Sequence, residues 1–295
     1  MPQKSSLHVA ERCRVVIDND WSGDPDGLVA LAHHLLSPAN RVVAVTSSHI
    51  SPMFQAPTSA ADGARLAEEL IALMSLPLPP RVWAGSESSY DADRGVEVPS
   101  AAAEAIVVEA RRADALPLFL VCGGPLTNVA QALRHAPDIA ATLTLVWIGG
   151  TVDPAAPEYN RDTDPDAAEF VLGHAELSVL QFPAETYRRC TYSVAELEHD
   201  LGGSGPLGAW LWERFVALPI PDFIELADNW PLGDSPSVLI TALSDLSSAY
   251  DEAPAVPGRA ERRVYRDIDF RLIVGDMLAK LRLHERRGPG ARRLV

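Results

Sequence analysis

Short β-branched or apolar runs alternate along the chain with longer stretches whose apolar positions recur at helical spacing, the pattern of a parallel sheet covered on both faces. Residues 14–18 (RVVID) predict the first strand, and residues 27–36 (GLVALAHHLL) a helix that stops before Ser37 and Pro38, where proline disfavours continuation. Residues 41–48 (RVVAVTSS) predict the second strand, a helix follows over about 60–73, and VWAG at 82–85 predicts a third strand. A polar loop over 86–100 leads to an Ala- and Glu-rich helix ending near Arg112, then a strand at 116–124 (LPLFLVCGG) and a helix from Leu126 to about His135. A strand at 143–150 (LTLVWIGG), a helix at 164–173 that opens on carboxylates, and a strand at 178–183 continue the alternation. Beyond Thr191 the pattern is mostly helical, with a last strand at 262–269 (RRVYRDID) before a helix at 270–283. These elements predict an α/β fold: an open, mostly parallel, doubly wound sheet with helices on both faces.

The 295 residues, 47% of them hydrophobic, suit one such domain spanning 1–295. LPLPP at 76–80 and APAVPG at 253–258 read as loops within it. A formal net charge of −15 sets the surface field against polyanions, so no nucleic acid and no membrane partner is expected, and a small-molecule ligand is. Three separated cysteines, Cys13, Cys122 and Cys190, form no CxxC pair, and the N-terminal residues carry no apolar signal segment; a cytoplasmic protein is the expectation.

Ligands of open parallel sheets sit beyond the carboxyl ends of strands. The first strand runs into Asp18-Asn19-Asp20-Trp21-Ser22-Gly23-Asp24-Pro25-Asp26, four carboxylates in nine residues at a strand-to-helix turn. Charges so close push one another toward protonation unless a cation or backbone donors neutralise them. A hard divalent cation answers this, and Ca2+ accepts many oxygen ligands where Mg2+ demands an octahedron. Helix capping alone accounts for one or two of these carboxylates, but not for Asp18 and Asp20 at the end of an apolar strand.

At this point the sequence resembles a family. VVIDNDWSGDPDGLVAL resembles the N-terminal DxDxGxDDxxAL signature of the nucleoside hydrolases, with one extra residue in the loop. LFLVCGGPLTNVAQAL at 118–133 is similar to the family's GPLTN segment, LTLVWIGG to its IVxMGG strand, EYNRDTDPDAAEFVL at 158–172 to its EFNxxxDPEAA segment, and YRDIDFRLIVGDML to its closing strand and helix. The resemblance covers nearly the whole chain and implies the Rossmann-like nucleoside hydrolase fold, Ca2+ as cofactor, and a homodimer or homotetramer. It implies Ca2+-dependent hydrolysis of the N-glycosidic bond of a ribonucleoside or related N-riboside to free base and ribose, by a metal-bound water that Asp20 deprotonates. Asp20, Asp26, the Gly123 carbonyl and Asp234 match the metal ligands, and Asp18 stands behind them. Glu158 and Asn160 match the pair holding the ribose 5′-hydroxyl, and Asp24 the contact to the 2′-hydroxyl. Cleavage builds positive charge on the ribose, which a carboxylate pocket stabilises.

The sequence departs from the family pattern where Gly233 replaces the histidine that serves as acid toward the leaving base, where Pro25 replaces the second of two adjacent aspartates, and where Ser47, Ser48 and His49 replace an asparagine after the second strand. His49 is a candidate to meet the base, and Trp21 and Trp230 are candidates to stack on it, with a packing role the competing reading for each. Two alternatives follow. One is a riboside-binding protein that turns nothing over. The other is a Mg2+ phosphatase with Asp18 as nucleophile, which needs a downstream lysine where the chain has only Lys4 and Lys280. GSGPLG at 203–208 formally fits GxGxxG but follows a polar helical stretch and reads as a helix-to-helix loop. Cys122 reads as a buried thiol, Trp210, Trp212 and Phe215 as packing residues, and the loop 86–100 as an active-site lid.

Overall fold

The computed structural model describes residues 9–91, 98–220, 227–252 and 260–288. Apolar runs become strands where both faces of each run are covered. β1 (Cys13–Asn19) is buried along its whole length. It lies between β2 (Asn40–Ser47) and β4 (Leu118–Cys122), parallel to both. With β3 (Arg81–Ala84), β5 (Leu143–Ile148), β6 (Ser178–Phe182), β9 (Ala249–Glu252) and β10 (Arg262–Asp267), these form an eight-stranded sheet in the order β3-β2-β1-β4-β5-β6-β10-β9. Every pairing is parallel except β10 with β9. The predicted α/β doubly wound architecture is therefore the observed one.

The period-two alternation of side chains divides the core into two layers. Val15 and Ile17 of β1, Val121 of β4 and Val146 and Ile148 of β5 face one layer, and Val16, Leu120, Cys122, Leu145 and Trp147 face the other. α1 (Asp26–Leu36), α2 (Ser59–Met74) and α11 (Phe270–Arg287) bury Leu28, Leu31, Leu35, Leu70, Met74, Met277 and Leu281 against the first layer. α3 (Ala101–Arg111), α4 (Thr127–His135) and α6 (Pro165–Gly173) bury Ile106, Val129, Leu133 and Val171 against the second. Helix starts follow local chemistry. The Ser100 side chain accepts from Ala103 N, Asp164 with Pro165 behind it accepts from Ala167 N, and Asp269 accepts from Leu272 N.

α1 stops at Ser37, whose hydroxyl returns to the His33 carbonyl at 2.7 Å. Two features were not expected from the pattern. β9 is a short polar strand (AYDE) closing the sheet antiparallel to β10, and β7 (Thr191–Ser193) pairs antiparallel with β8 (Asn229–Pro231) in a separate two-stranded ribbon. The helical region between those two strands contains α8 (Val194–Gly202) and α9 (Pro206–Ala217), and the GSGPLG segment joins them, as read. Residues 92–97 of the suggested lid lie outside the described residues.

The sheet order reverses at β1: the chain moves outward to β2 and β3, then returns to β4 on the other side. This switch point opens a crevice beyond the carboxyl ends of β1 and β4, where Gly123 N donates to Asp18 O at 3.0 Å. The aspartate cluster and the GPLTN turn are adjacent because the topology makes β1 and β4 neighbours.

Candidate active site

Four side chains of the crevice come from one local turn and one from far along the chain. Asp20 and Asp26 are 7% and 5% exposed, Asp234 9%, and Asp18 is fully buried. Asp18 Oδ1 accepts from Thr46 Oγ1 at 2.6 Å and Asn128 Nδ2 at 2.8 Å, with Cys122 Sγ 3.6 Å from Oδ2. Asp18 thus ties β1, β2 and α4 together beneath the site. Asn19 spans the other direction: its Oδ1 accepts from Asp20 N at 2.8 Å and its Nδ2 donates to Asp234 Oδ2 at 2.8 Å. Asp234 N in turn donates to Asp26 Oδ2 at 2.9 Å. The segment joining β8 to α10 (Ser237–Thr241) is thereby locked onto the β1–α1 turn.

The electrostatics are those of concentrated buried negative charge. Burial pushes the Asp20 carboxyl well above the usual range, and Asp234, Asp24 and Asp18 push it further. Burial does the same to Asp26, with Asp234, Asp24 and Asp20 adding to it. Asp234 is raised by burial against the pull of its Asn19 bond, and Asp24 by burial against Asp26 and Trp230 donors. Such a set favours a cation of high charge or a substrate that becomes positive.

Whether the residues fit a divalent metal can be judged from their donors and their closeness. All candidate ligands are oxygen: the Asp20, Asp26 and Asp234 carboxylates and the Gly123 carbonyl. A Cβ at Gly123 would lie 2.7 Å from Asp234 Oδ1, one at Gly124 3.2 Å from Asp20 Oδ1, and one at Gly233 3.5 Å from Asp26 Oδ2, so glycines let the three carboxylates crowd the backbone. Among the described residues no three His, Cys, Asp or Glu side chains already close on a common point. The reason lies in the bonds above, since Asp26 and Asp234 each turn an oxygen to an internal donor. The donor set and the charge fit a hard cation.

Glu158 and Asn160 form the facing wall. Glu158 precedes α5 (Tyr159–Thr163) and its side chain accepts from Asn160 N at 3.1 Å and Arg161 N at 2.9 Å. Asn160 Nδ2 donates to the carbonyls of Gly123 at 2.9 Å and Ile148 at 2.8 Å. The structure brings Asp18, Asp20, Asp24, Asp26, Gly123, Glu158, Asn160 and Asp234 together at one end of the sheet. Trp230 joins them through its indole, which donates to Asp24 Oδ1 at 3.0 Å while its ring meets Phe215 edge-on, 5.7 Å between centroids. Trp21 instead lies in the core, donating to Thr46 O at 2.8 Å. His49 is 2% exposed, 3.4 Å from Ser89 Oγ, and its pKa is lowered mainly by burial.

Sequence reasoning missed two residues. Tyr159 accepts from Ser51 N at 3.1 Å, and burial and then Asp20 raise its phenol pKa. Phe54 and Met53, exposed beside it, extend an apolar rim, with Phe54 6.3 Å from the Tyr159 ring. Tyr187 of α7 (Ala184–Tyr187) donates to Glu158 Oε1 at 2.8 Å. For Tyr159 the signal was its place inside the EYN motif; Tyr187 had none of its own. Cys122 is a buried thiol raised by burial and Asp18, as read. Lys280 of α11 donates to Asp276 on the same helix and to Ser37 Oγ at the end of α1, and Lys4 is outside the described residues. A phosphatase lysine near Asp18 is therefore not found among the described residues.

A doubly wound sheet whose switch point holds buried carboxylates is suited to stabilising positive charge on a bound ligand. The chain belongs to the inosine-uridine preferring nucleoside hydrolase family, whose model matches residues 15–225, and is an N-ribosyl hydrolase. Among similar solved structures, a plant nucleoside hydrolase is 19% identical with a TM-score of 0.67, covering 91% of this chain and 98% of its own. An inosine-uridine preferring nucleoside hydrolase from Bacillus anthracis is 15% identical with a TM-score of 0.64, covering 92% and 99%. A purine-preferring ribonucleoside hydrolase from Gardnerella vaginalis is 17% identical with a TM-score of 0.64, covering 93% and 100%. At these identities the structures speak to the fold. The sequence has no match among curated proteins. No helix of the described residues is long and apolar enough to cross a membrane.

Proposed function

We propose that the chain hydrolyses a ribonucleoside or closely related N-riboside to free base and ribose, with Ca2+ as cofactor and Asp20 as the general base. The observation that supports this reading is the burial of Asp20, Asp26 and Asp234 beside Gly123 beyond β1 and β4, an oxygen-only and strongly negative set. Ca2+ bound there would neutralise the carboxylates, hold the ribose diol and lower the pKa of a water. Asp20 takes a proton from the attacking water. The carboxylates of Asp20, Asp24 and Asp26 stabilise the positive charge that develops on the ribose ring as the N-glycosidic bond breaks. Glu158 and Asn160 form the wall that receives the 5′ end of the sugar. Tyr159 and Phe54 supply an apolar rim on which a base can stack.

Among the described residues no histidine stands at 233, which is glycine, and His49 is buried next to Ser89 with its pKa lowered mainly by burial. Substrates whose base departs without a strong acid are therefore favoured. The test is release of free base and ribose from purine, pyrimidine and nicotinamide ribosides, run with Ca2+, with chelator and with Asp20→Ala. Turnover that both chelator and substitution abolish supports the reading. Turnover insensitive to both overturns the assignment of the site, and riboside binding without turnover moves the function to a binding protein on this fold.

A further inference from the structure

Of the four aspartates within residues 18–26, Asp18, Asp20 and Asp26 are buried and Asp24 alone is exposed. It is the carboxylate of this turn most open to a ligand, yet the chain around it restrains its side chain weakly. The next residue is Pro25, which has no N–H to give, and the backbone donor that reaches Asp24 Oδ1 is Asp26 N at 3.4 Å. The Asp24 side chain also meets the Asp26 carboxylate, a partner that holds it only while one of the two carries a proton; ionised, the two repel. An exposed aspartate held by nothing better is free among its staggered rotamers.

The stronger restraint comes from 206 residues away, where Trp230 Nε1 donates to the same Asp24 Oδ1 at 3.0 Å. An indole has one polar hydrogen and no acceptor, so the tryptophan gives and the carboxylate receives. Trp230 is itself held. It sits in β8 opposite Tyr192 of β7, and the ribbon is closed at its ends by Val194 N donating to Asp228 O at 3.1 Å and Leu232 N to Cys190 O at 2.7 Å. Its ring meets Phe215 of α9 edge-on at 5.7 Å, and Phe215 stacks on Trp212 at 6.3 Å. With 8% of its surface exposed, the ring offers too little area for a base to stack on.

We propose that Trp230 is a positioning residue of the site: its indole N–H sets the orientation in which the Asp24 carboxylate meets the sugar, and the aromatic face of α9 seats the indole. The proposal rests on the function proposed above, in which Asp24 answers the positive charge that develops on the ribose. A carboxylate serves that charge best when it is in place before the charge appears, so releasing it costs the chemical step rather than ground-state binding. The bond also makes good a local defect of this turn, since Pro25 removes the backbone donor that would directly follow Asp24. Trp230 thus acts on the substrate through Asp24 and not by stacking on the base.

The experiment is a double-mutant cycle on base release from a riboside that wild type turns over, with Ca2+ present, comparing wild type, Trp230→Phe, Asp24→Ala and the pair. Trp230→Phe keeps a ring against Phe215 and removes the donor. It is expected to lower kcat about tenfold and change KM less than about twofold, the effect of losing one hydrogen bond to a charged group. In the Asp24→Ala background the same substitution should cost less than about twofold, because the indole then has nothing to orient. A tryptophan that merely supports the fold would cost the same in both backgrounds, and that result overturns the proposal, as does an unchanged kcat in Trp230→Phe. If Trp230→Phe fails to fold, the indole N–H resonances of the six tryptophans decide between wild type and Asp24→Ala. One of them should move upfield and lose protection from exchange when Asp24 is removed, and should shift in wild type when riboside is added; six unchanged resonances overturn the proposal. Equal losses with turnover intact strike at this proposal alone, whereas a chain that turns over no riboside refutes the function proposed above and this proposal with it.

Discussion

Gly123→Ala tests the geometry of the site with a single methyl group. Gly123 follows β4, and its φ does not lie in the left-handed region, so alanine meets no backbone penalty there and the effect is steric. The added Cβ would stand 2.5 Å from Asn19 Nδ2, 2.7 Å from Asp234 Oδ1 and 2.9 Å from Asp234 Cγ. To reach the roughly 3.4 Å of ordinary contact, Asp234 must retreat by about 0.7 Å and Asn19 by about 0.9 Å. Neither can do so freely, because the two are bonded to each other at 2.8 Å, Asn19 also orients Asp20, and Asp234 N is bonded to Asp26. Overpacking of this kind costs about 1–3 kcal/mol of stability, a shift of a few degrees in Tm for a chain of this size. The cost to activity is larger. Misplacement near 1 Å lowers rates about a hundredfold, equivalent to about 2.7 kcal/mol in the barrier. The assay is kcat/KM for base release over a Ca2+ titration, with Gly173→Ala as control, since a Cβ at Gly173 meets nothing within 4 Å. The half-saturating Ca2+ concentration should rise as kcat/KM falls. A folded variant with kcat/KM within about threefold of wild type and an unchanged Ca2+ requirement would show that Asp234 and the Gly123 carbonyl do not share the ion.

Asp20→Asn should abolish base release and, in chelator, melt above wild type, because it removes a buried charge that Asp234 and Asp24 oppose; calorimetric melts with and without Ca2+ decide, and a lower Tm in chelator would contradict this. His34, fully buried, has its pKa lowered to about 3, first by burial and then by His33 and Lys280. Its folded value lies below the unfolded value near 6.5, so the native state binds fewer protons there; its contribution is fully present above about pH 6.5 and is lost as pH falls toward 3, at about 1.4 kcal/mol per unit. Melts of wild type and His34→Gln from pH 7.5 to 4.5 should therefore converge as pH falls, and parallel curves would exclude His34 as the source. Phe54→Ala should raise KM for purine ribosides about fivefold with little change in kcat, measured by initial rates; an unchanged KM would remove this rim from base binding.

The part of the site legible in the sequence is the part in which neighbours in the chain are neighbours in space. Asp18, Asn19 and Asp20 follow an apolar strand, and Asp24 and Asp26 open the next helix, so the charge density could be read without a fold. Glu158 and Asn160 were pointed to only by the family resemblance of the EYN segment, and their capping of α5 became visible in the structure. Asp234 was reached only through the resemblance, as the match to the family's late aspartate before an apolar helix, and what holds it is an amide on Asn19, 215 residues away. The Trp230 bond to Asp24 crosses 206 residues, and no spacing rule finds it. Trp21 went the other way: a tryptophan beside carboxylates suggests stacking, yet one position along the turn from Asp20 it faces the core. Strand β9 escaped notice because AYDE lacks alternation, its place being set by pairing with β10 rather than by burial. Tyr187 was the least legible, since AETY has no motif; the structure shows its ring 3.0 Å from where a side chain at 233 would begin. A missing side chain in a site is therefore informative twice over: it removes one chemistry and marks space that another part of the chain has filled.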